Sequence, residues 1–184
     1  MNSTYKVYKF RSNQSQEVDD SVSIEEPLEI SIRYKDKDNW VSQILSITMR
    51  TPGHDEDLVR GFLYNEQIVQ NINHIQSIES FGDKVGQYNL QNKILATLNN
   101  SENINITKIK RDFLTNSSCG VCGKSSLDAL EIIKKDKTPS INPKLNKEII
   151  LQSPNLLRDH QTEFSKTGGI HASGLFSSNG NLVA

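Results

Sequence analysis

Cysteine is scarce in this chain: its 184 residues hold two, Cys119 and Cys122, three positions apart. That count excludes a disulfide-stapled secreted scaffold, which needs several half-cystines spread along the sequence. Charge of one sign is lacking as well, with 21 Lys+Arg against 22 Asp+Glu. A near-balanced chain does not present the basic excess that a broad nucleic-acid footprint requires, although a small basic pocket stays open. Long apolar runs are missing: no stretch approaches the roughly 20 apolar residues of a spanning helix. The opening MNSTYKVYKFRSNQSQEVDD has no apolar core and so does not read as a signal peptide or anchor. The expectation is a soluble cytoplasmic protein with neither a nucleic-acid nor a membrane partner. In a reducing compartment, a close cysteine pair points to redox, metal or thiol chemistry rather than to a staple.

The length suits one good core or two small packed domains. Residues 1–20 are polar and are expected to be a flexible, frayed N-terminus. From Ser21 to Tyr34 the chain alternates around Leu28, Ile30 and Ile32, the period of a half-buried strand. Lys35 to Asn39 reads as a charged turn and Trp40 to Met49 as a second strand, which together make a hairpin. Thr51-Pro-Gly-His-Asp55 breaks the pattern, with Asp55 a possible cap. Glu56 to Glu66 then reads as a helix with Leu58, Phe62 and Leu63 on one face. Short β-like segments follow near Ile75–Phe81, Val85–Leu90 and Ile94–Leu98. Asn99 to Asn105 resembles a linker. Ser125 to Lys135 reads as a helix with Leu127, Leu130 and Ile133 along one side. Ser153-Pro154 looks like a cap and first helical residue of another helix that runs to about Phe164. Thr167-Gly168-Gly169 stops it. His171 to Ser177 reads as a strand, Asn179-Gly180 as a tight turn, and Leu182 to Ala184 as the start of a returning strand. A returning strand of three residues is weakly held, so the expectation is a fragment truncated at its C-terminus. The implied organisation is a flexible 1–20, a β-rich portion with one helix over 21–105, and a C-terminal domain over 106–184.

The most informative segment is Asn116-Ser-Ser-Cys119-Gly-Val-Cys122-Gly-Lys124. Gly120 and Gly123 lack Cβ, which permits a tight loop that leaves sulfur accessible. The N-terminus of a helix starting near Ser125, together with Lys124, favours thiolate over thiol. Three chemistries use such a pair. A zinc knuckle needs four ligands, and the nearest candidates beyond the cysteines, His160 and His171, stand eleven residues apart rather than three to five; no metal site is therefore assigned. A thioredoxin-like redox pair belongs in a βαβ context, which the β-rich first half does not supply. Sulfur transfer is the third. The spacing alone does not separate the last two. Thr167-Gly-Gly-Ile-His171-Ala-Ser173 is a second constellation, in which paired glycines let backbone approach a ligand closely. They equally mark a turn into a strand. His54 and His74 carry no functional reading.

Taken together, these segments resemble the formate dehydrogenase accessory, sulfur-carrier proteins of the FdhD/NarQ family, in order and over nearly the whole chain. Glu25-Glu26-Pro27-Leu28 looks like the family's opening strand motif. Arg50-Thr51-Pro52-Gly53 through Leu58-x-x-Gly61-Phe62-Leu63-x-x-Glu66 looks like its next block. Ser118-Cys119-Gly120-Val121-Cys122-Gly123 matches its most specific signature, and Thr167-Gly168-Gly169-Ile170-His171-Ala172 the one after. The resemblance implies an α+β protein: a β-rich N-terminal portion and a cytidine-deaminase-like α/β domain, working as a homodimer. It implies a sulfurtransferase-type persulfide carrier with no permanently bound cofactor. Such a carrier accepts sulfur from a cysteine desulfurase. It delivers the sulfur to the guanine-dinucleotide form of the molybdenum cofactor for formate dehydrogenase. Carried over by motif, Cys119 bears the persulfide and Cys122 is the assisting thiol. His171-Ala172-Ser173 stands where a nucleoside deaminase places His-x-Glu; the glutamate and a downstream Pro-Cys-x-x-Cys are missing, so zinc-dependent deamination lacks its general acid/base and its ligands. Family members continue beyond the Gly180 turn into an acidic Asp-Val-Gly-Arg segment and a cofactor-binding stretch, so no cofactor-binding residue is assigned. The rival class is a binding module, a molybdenum-cofactor chaperone whose cysteine pair senses redox state.

Overall fold

The alternation around Leu28, Ile30 and Ile32 becomes the centre of the fold in the computed structural model, which describes residues 1–12, 14–99 and 146–184. These three side chains are fully buried. They lie on β3 (Glu26–Asp36), which turns at Lys37-Asp38 into β4 (Asn39–Arg50), its antiparallel partner. Lys37 takes φ +57°, which closes the hairpin in two residues. A bulge at Ile30/Ser31 shifts the register, and both Leu45 and Ser46 opposite it are buried. The sheet is completed by β5 (Ile75–Val85) and β6 (Leu90–Leu98), in the order β4-β3-β6-β5, with β3 and β6 parallel. Pro27 lies ahead of the stretch Glu29–Arg33 that β6 pairs, so its missing N–H costs that ladder nothing.

One helix, α1 (Asp55–Asn65), lies between the two hairpins in sequence. Asp55, Glu56 and Asp57 fill its first turn, where the helix dipole favours carboxylates. It ends in a paired-carbonyl stop: Gln67 N–H donates to Tyr64 O and Ile68 N–H to Leu63 O, each at 2.9 Å. Gln67 occupies φ +55°, a place glycine usually takes. Val59 and Leu63 are fully buried, and Leu58 and Phe62 pack against the core from its flank. The face read from the sequence is thus correct and lacks only Val59. Around it, Tyr34, Leu45, Ile68, Val69, Ile94, Ala96 and Leu98 complete one apolar cluster.

Several sequence expectations change. Val85–Leu90, expected as a strand, is a hairpin end: Val85 closes β5 and pairs with Leu90, which opens β6, and 86–89 turn between them with Gly86 at φ +71° and Asn89 at φ +53°. Ser21–Tyr34 is two strands rather than one, parted at Ile24-Glu25. Residues 1–20, expected to be frayed, form most of a long hairpin of β1 (Asn2–Arg11) and β2 (Gln14–Ser23), paired in register from Asn2↔Ser23 to Arg11↔Gln14. Thr4, Tyr5, Val7, Tyr8 and Phe10 favour extended backbone. Lys6–Glu17 at 3.0 Å and Lys9–Asp20 at 3.6 Å join the strands across the ladder. A segment without an apolar run can therefore still pair, because pairing needs backbone and cross-strand partners rather than a buried face.

The described residues divide into two compact units. One comprises Met1–Ile24 and the described part of Ile133–Ala184; the other is the described part of Glu25–Ile132, holding β3–β6 and α1. The N-terminal hairpin thus groups with the C-terminal portion rather than standing as a tail before residue 21. The expected boundary at 105/106 lies outside the described residues.

In the first unit, α2 (Lys147–His160) starts earlier than Ser153-Pro154. Asn146 caps it, its Oδ1 accepting from Glu148 N–H at 2.9 Å. Pro154 sits inside the helix and cannot donate to Ile150 O; the Ser153 hydroxyl donates to that carbonyl instead, at 2.9 Å. The expected single helix to Phe164 is broken at Gln161, and a short α3 (Thr162–Thr167) follows. Gly168, at φ +68°, ends α3 with its N–H on Phe164 O. His171–Ser177 is not a strand. The closing turn is held by Leu175 N–H on Ala184 O at 2.8 Å, Val183 N–H on Leu175 O at 2.7 Å and a lone Phe176↔Leu182 bridge. The turn itself is as expected, with Gly180 at φ +85° and its N–H on Ser177 O. The architecture is α+β, rich in sheet toward the N-terminus. Among the described residues, no helix is long and apolar enough to cross a membrane.

Candidate functional site

The motif segments occupy two described places and one that is not. Cys119 and Cys122, with the helix expected over Ser125–Lys135, lie outside the described residues. What the structure gives is how the flanking motif blocks are built.

The first two blocks meet at one side chain. Arg50, the last residue of β4, buries its guanidinium to 2% exposure beside Asp55, which is 18% exposed. Arg50 Nε donates to Asp55 Oδ1 at 2.9 Å and Nη2 to Asp55 Oδ2 at 3.1 Å, a two-point carboxylate clasp. Nη2 also donates to Asn92 Oδ1 at 3.0 Å, and Nη1 to Glu26 O at 3.3 Å. Asn92 in turn donates from Nδ2 to Glu26 Oε2 at 3.3 Å. A buried charge is tolerable only when paired and hydrogen-bonded; here one guanidinium ties the end of β4 to the start of α1, the start of β3 and β6. Asp55, expected as a helix cap, serves this clasp instead; His54 is the capping residue and makes no side-chain cap bond. Asn92 has no sequence signal of its own, since one asparagine in a polar stretch is unremarkable until Arg50 is placed beside it.

Next to the clasp is an open cleft of about 410 Å³, lined by Gly53, His54, Asp55, Glu56, Asp57, Ser80 and Ile94. Its rim is acidic and Asp55 is committed to Arg50, so it does not invite an anionic ligand. No group of three or more His, Cys, Asp or Glu among the described residues is arranged to hold a metal ion.

The Thr167–Ala172 block is anchored through Thr167. Its Oγ1 donates to Glu163 O at 2.8 Å, accepts from Gly169 N–H at 3.1 Å and lies 3.0 Å from Ser23 Oγ on β2. Gly168 and Gly169 carry the chain around this hydroxyl. Ile170 then holds φ +76°, a left-handed conformation that costs a β-branched residue roughly 1–3 kcal/mol. His171 follows, exposed, at the exit of this strained turn. His160, a zinc-ligand candidate alongside His171 by sequence, has Nδ1 2.8 Å from Leu156 O, within its own helix. Ser23, the anchor across from Thr167, was invisible in the sequence because the contact joins residues 144 apart.

Comparison with known proteins gives these blocks a common origin. A sulfur carrier protein FdhD of Sulfurisphaera tokodaii is 38% identical over 178 residues, 96% of this chain and 60% of that protein. The proteins of the same name from Sulfolobus acidocaldarius and Thermoplasma volcanium are 34% and 37% identical, over 97% and 91% of this chain and 60% and 57% of theirs. The chain thus spans about three-fifths of the length of these curated relatives. A crystal structure of a Desulfotalea psychrophila protein assigned as a formate dehydrogenase accessory protein aligns over 53% of this chain and 35% of its own, at TM-score 0.39 and 23% identity. The model of the FdhD/NarQ family matches residues 23–184, which takes in the Glu26–Arg50–Asp55 junction, the Cys119/Cys122 pair and the Thr167–Ala172 turn, and the chain belongs to that family.

Proposed function

We propose that this protein carries sulfur as a persulfide on Cys119. The observation behind this reading is the Cys119-Gly-Val-Cys122 pair in a chain of the FdhD/NarQ family whose curated relatives are named sulfur carriers. In the first step the Cys119 thiolate attacks the outer sulfur of a cysteine desulfurase persulfide. A new S–S bond forms at Cys119, the donor S–S bond breaks, and the donor leaves as thiolate. The acceptor is the guanine-dinucleotide form of the molybdenum cofactor, treated as substrate rather than resident group, on the way to formate dehydrogenase. Releasing the carried sulfur as hydrosulfide needs two electrons. Cys122 supplies them by attacking Cys119 Sγ, which leaves a Cys119–Cys122 disulfide that a cellular thiol reductant resets. The C-terminal portion forms a cytidine-deaminase-like domain, and the working unit is a cytoplasmic homodimer.

The test is sulfur transfer itself. The protein is incubated with a cysteine desulfurase and ³⁵S-cysteine, and label on the chain is read by non-reducing gel and peptide mass. Cys119→Ala should abolish thiol-releasable label, whereas Cys122→Ala should accept label and release it slowly. Normal acceptance and release by Cys119→Ala would refute the assignment. Formate dehydrogenase activity in cells carrying Cys119→Ser separates the rival: full activity there favours a cofactor chaperone with a redox-sensing pair.

A further inference from the structure

The end of the β3–β4 hairpin gathers cations that the fold does not neutralise. Elsewhere in the same unit Arg50 is clasped by Asp55, Arg60 lies 3.5 Å from Glu56 and Lys93 lies 4.0 Å from Glu29. Arg33, Lys35 and Lys37 are exposed and have no carboxylate within 4.0 Å among the described residues. Arg33 and Lys35 share one face of β3, and Lys35 pairs across the ladder with Trp40. Arg33 Cζ stands 4.9 Å and Lys35 Nζ 5.5 Å from the centroid of the Trp40 ring, which is itself 45% exposed. Lys37 follows in the turn.

A ring contact holds a cation without discharging it. The π face attracts the charge of Arg33 and Lys35 but uses none of their N–H donors. Two long side chains are thus steered toward one place with their hydrogen bonds unspent, which lowers the ordering cost of binding an anion there. A guanidinium fork fits a carboxylate at two points, and an exposed tryptophan beside an arginine is the composition of a protein-interface anchor. Asp36 and Asp38 border the same turn, so the hairpin end has a net charge of only +1. A continuous polyanion, whether a nucleic-acid backbone or an anionic bilayer, would set its charges against those two carboxylates as well as against the cations. A discrete anionic segment avoids this, because Asp36 falls in the opposite phase of β3 from Arg33 and Lys35. We propose that Arg33, Lys35 and Trp40 dock an acidic segment of a partner protein, with carboxylates on the two cations and an apolar side chain against the indole. Such docking concerns recruitment of a partner and holds or fails independently of the chemistry at Cys119.

The single tryptophan is the reporter. A capped peptide with leucine between pairs of glutamates, titrated into the whole chain at low ionic strength, should change Trp40 emission saturably, and added salt should weaken its binding. The same peptide with lysine for each glutamate should leave the emission unchanged. Arg33→Gln should raise the dissociation constant of the acidic peptide about 5- to 10-fold and Lys35→Gln about 2- to 5-fold. Arg33→Lys keeps the charge but loses the fork, and should weaken binding about 3-fold. Lys84→Gln makes the same charge change on β5, at the other edge of the sheet, and should bind as the wild type does. All four substitutions alter exposed side chains, and unchanged urea midpoints show the sheet intact. No saturable change of Trp40 emission with the acidic peptide would overturn the proposal. Equal weakening by Lys84→Gln and Arg33→Gln would also overturn it, by reducing the effect to net charge. Phosphatidylglycerol vesicles or an oligothymidylate that shift Trp40 emission where the peptide does not would overturn it in favour of a membrane or a nucleic acid.

Discussion

The Arg50–Asp55 clasp makes an asymmetric prediction. Removing Asp55 leaves the guanidinium, 2% exposed, with only the neutral Glu26 carbonyl and Asn92 amide oxygen as acceptors. An ion stranded in that way costs about 3–5 kcal/mol. The loss of a carboxylate from the first turn of α1 adds about 0.3–1 kcal/mol. Removing Arg50 as Arg50→Met keeps most of the volume and strands Asp55, but at 18% exposure its carboxylate can recruit water, and the cost falls to about 1–3 kcal/mol. Asp55→Ala should therefore destabilise more than Arg50→Met. The double variant strands neither charge and should fall short of the sum by about 2 kcal/mol. The assay is urea denaturation followed by fluorescence. Trp40 is the single tryptophan and lies in the unit that holds the clasp, so its signal reports that unit even if the other unfolds separately. Equal losses for the two single variants, or additivity to within about 0.5 kcal/mol, would refute the claim that these two charges are held by each other.

Three further outcomes are expected. Pro154→Ala restores an N–H to the Ile150 carbonyl inside α2 and should stabilise the first unit by about 1–2 kcal/mol, read by helical circular dichroism during urea unfolding. Gly168→Ala meets no neighbour within 4 Å yet must hold φ +68°, so it should cost about 1–2 kcal/mol in the same assay, and Gly168→Asn less. At limiting iodoacetamide, peptide mass should show Cys119 labelled before Cys122: the expected helix near Ser125 favours the Cys122 thiolate by only about 0.3–1 kcal/mol, while a carrier thiol farther from it reaches a partner more freely. Preferential labelling of Cys122 would reverse the roles.

Much of the second unit was legible in the sequence. Two-residue periodicity found Leu28, Ile30 and Ile32, all fully buried, because one face of β3 meets the core along its length. Helical periodicity found α1 to within one residue at each end. The same reasoning failed at Val85–Leu90, where Val85, Tyr88 and Leu90 look like a strand. The turn is set instead by residues that accept positive φ, Gly86 and Asn89, and periodicity does not see backbone handedness. It also failed across Ile30/Ser31, since a bulge buries two consecutive residues, Leu45 and Ser46, which no two-residue period allows. In the first unit, hydrophobic pattern was a poor guide throughout. β1 and β2 hold together through cross-strand charges, and α2 continues through a proline because a neighbouring hydroxyl takes over the freed carbonyl.

The candidate site divides along the same line. The Arg50-Thr-Pro-Gly and Glu25-Glu-Pro-Leu blocks bring an arginine and acidic residues beside glycine and proline. In the fold Arg50 is taken up by Asp55 and the Glu26 backbone carbonyl, and the Glu26 carboxylate accepts from the Asn92 amide. A side chain buried to 2% with four donor bonds already made has little left to offer a substrate. Those blocks identify a shared scaffold, and a match to them is a match of fold. The Thr167–His171 turn is intermediate: Thr167 is absorbed in holding the backbone, while His171 leaves the turn exposed. The Cys119/Cys122 pair, outside the described residues, brings the side chains whose thiolate form does sulfur chemistry. That is why the functional reading stands on two residues, although the family reading stands on some hundred and sixty.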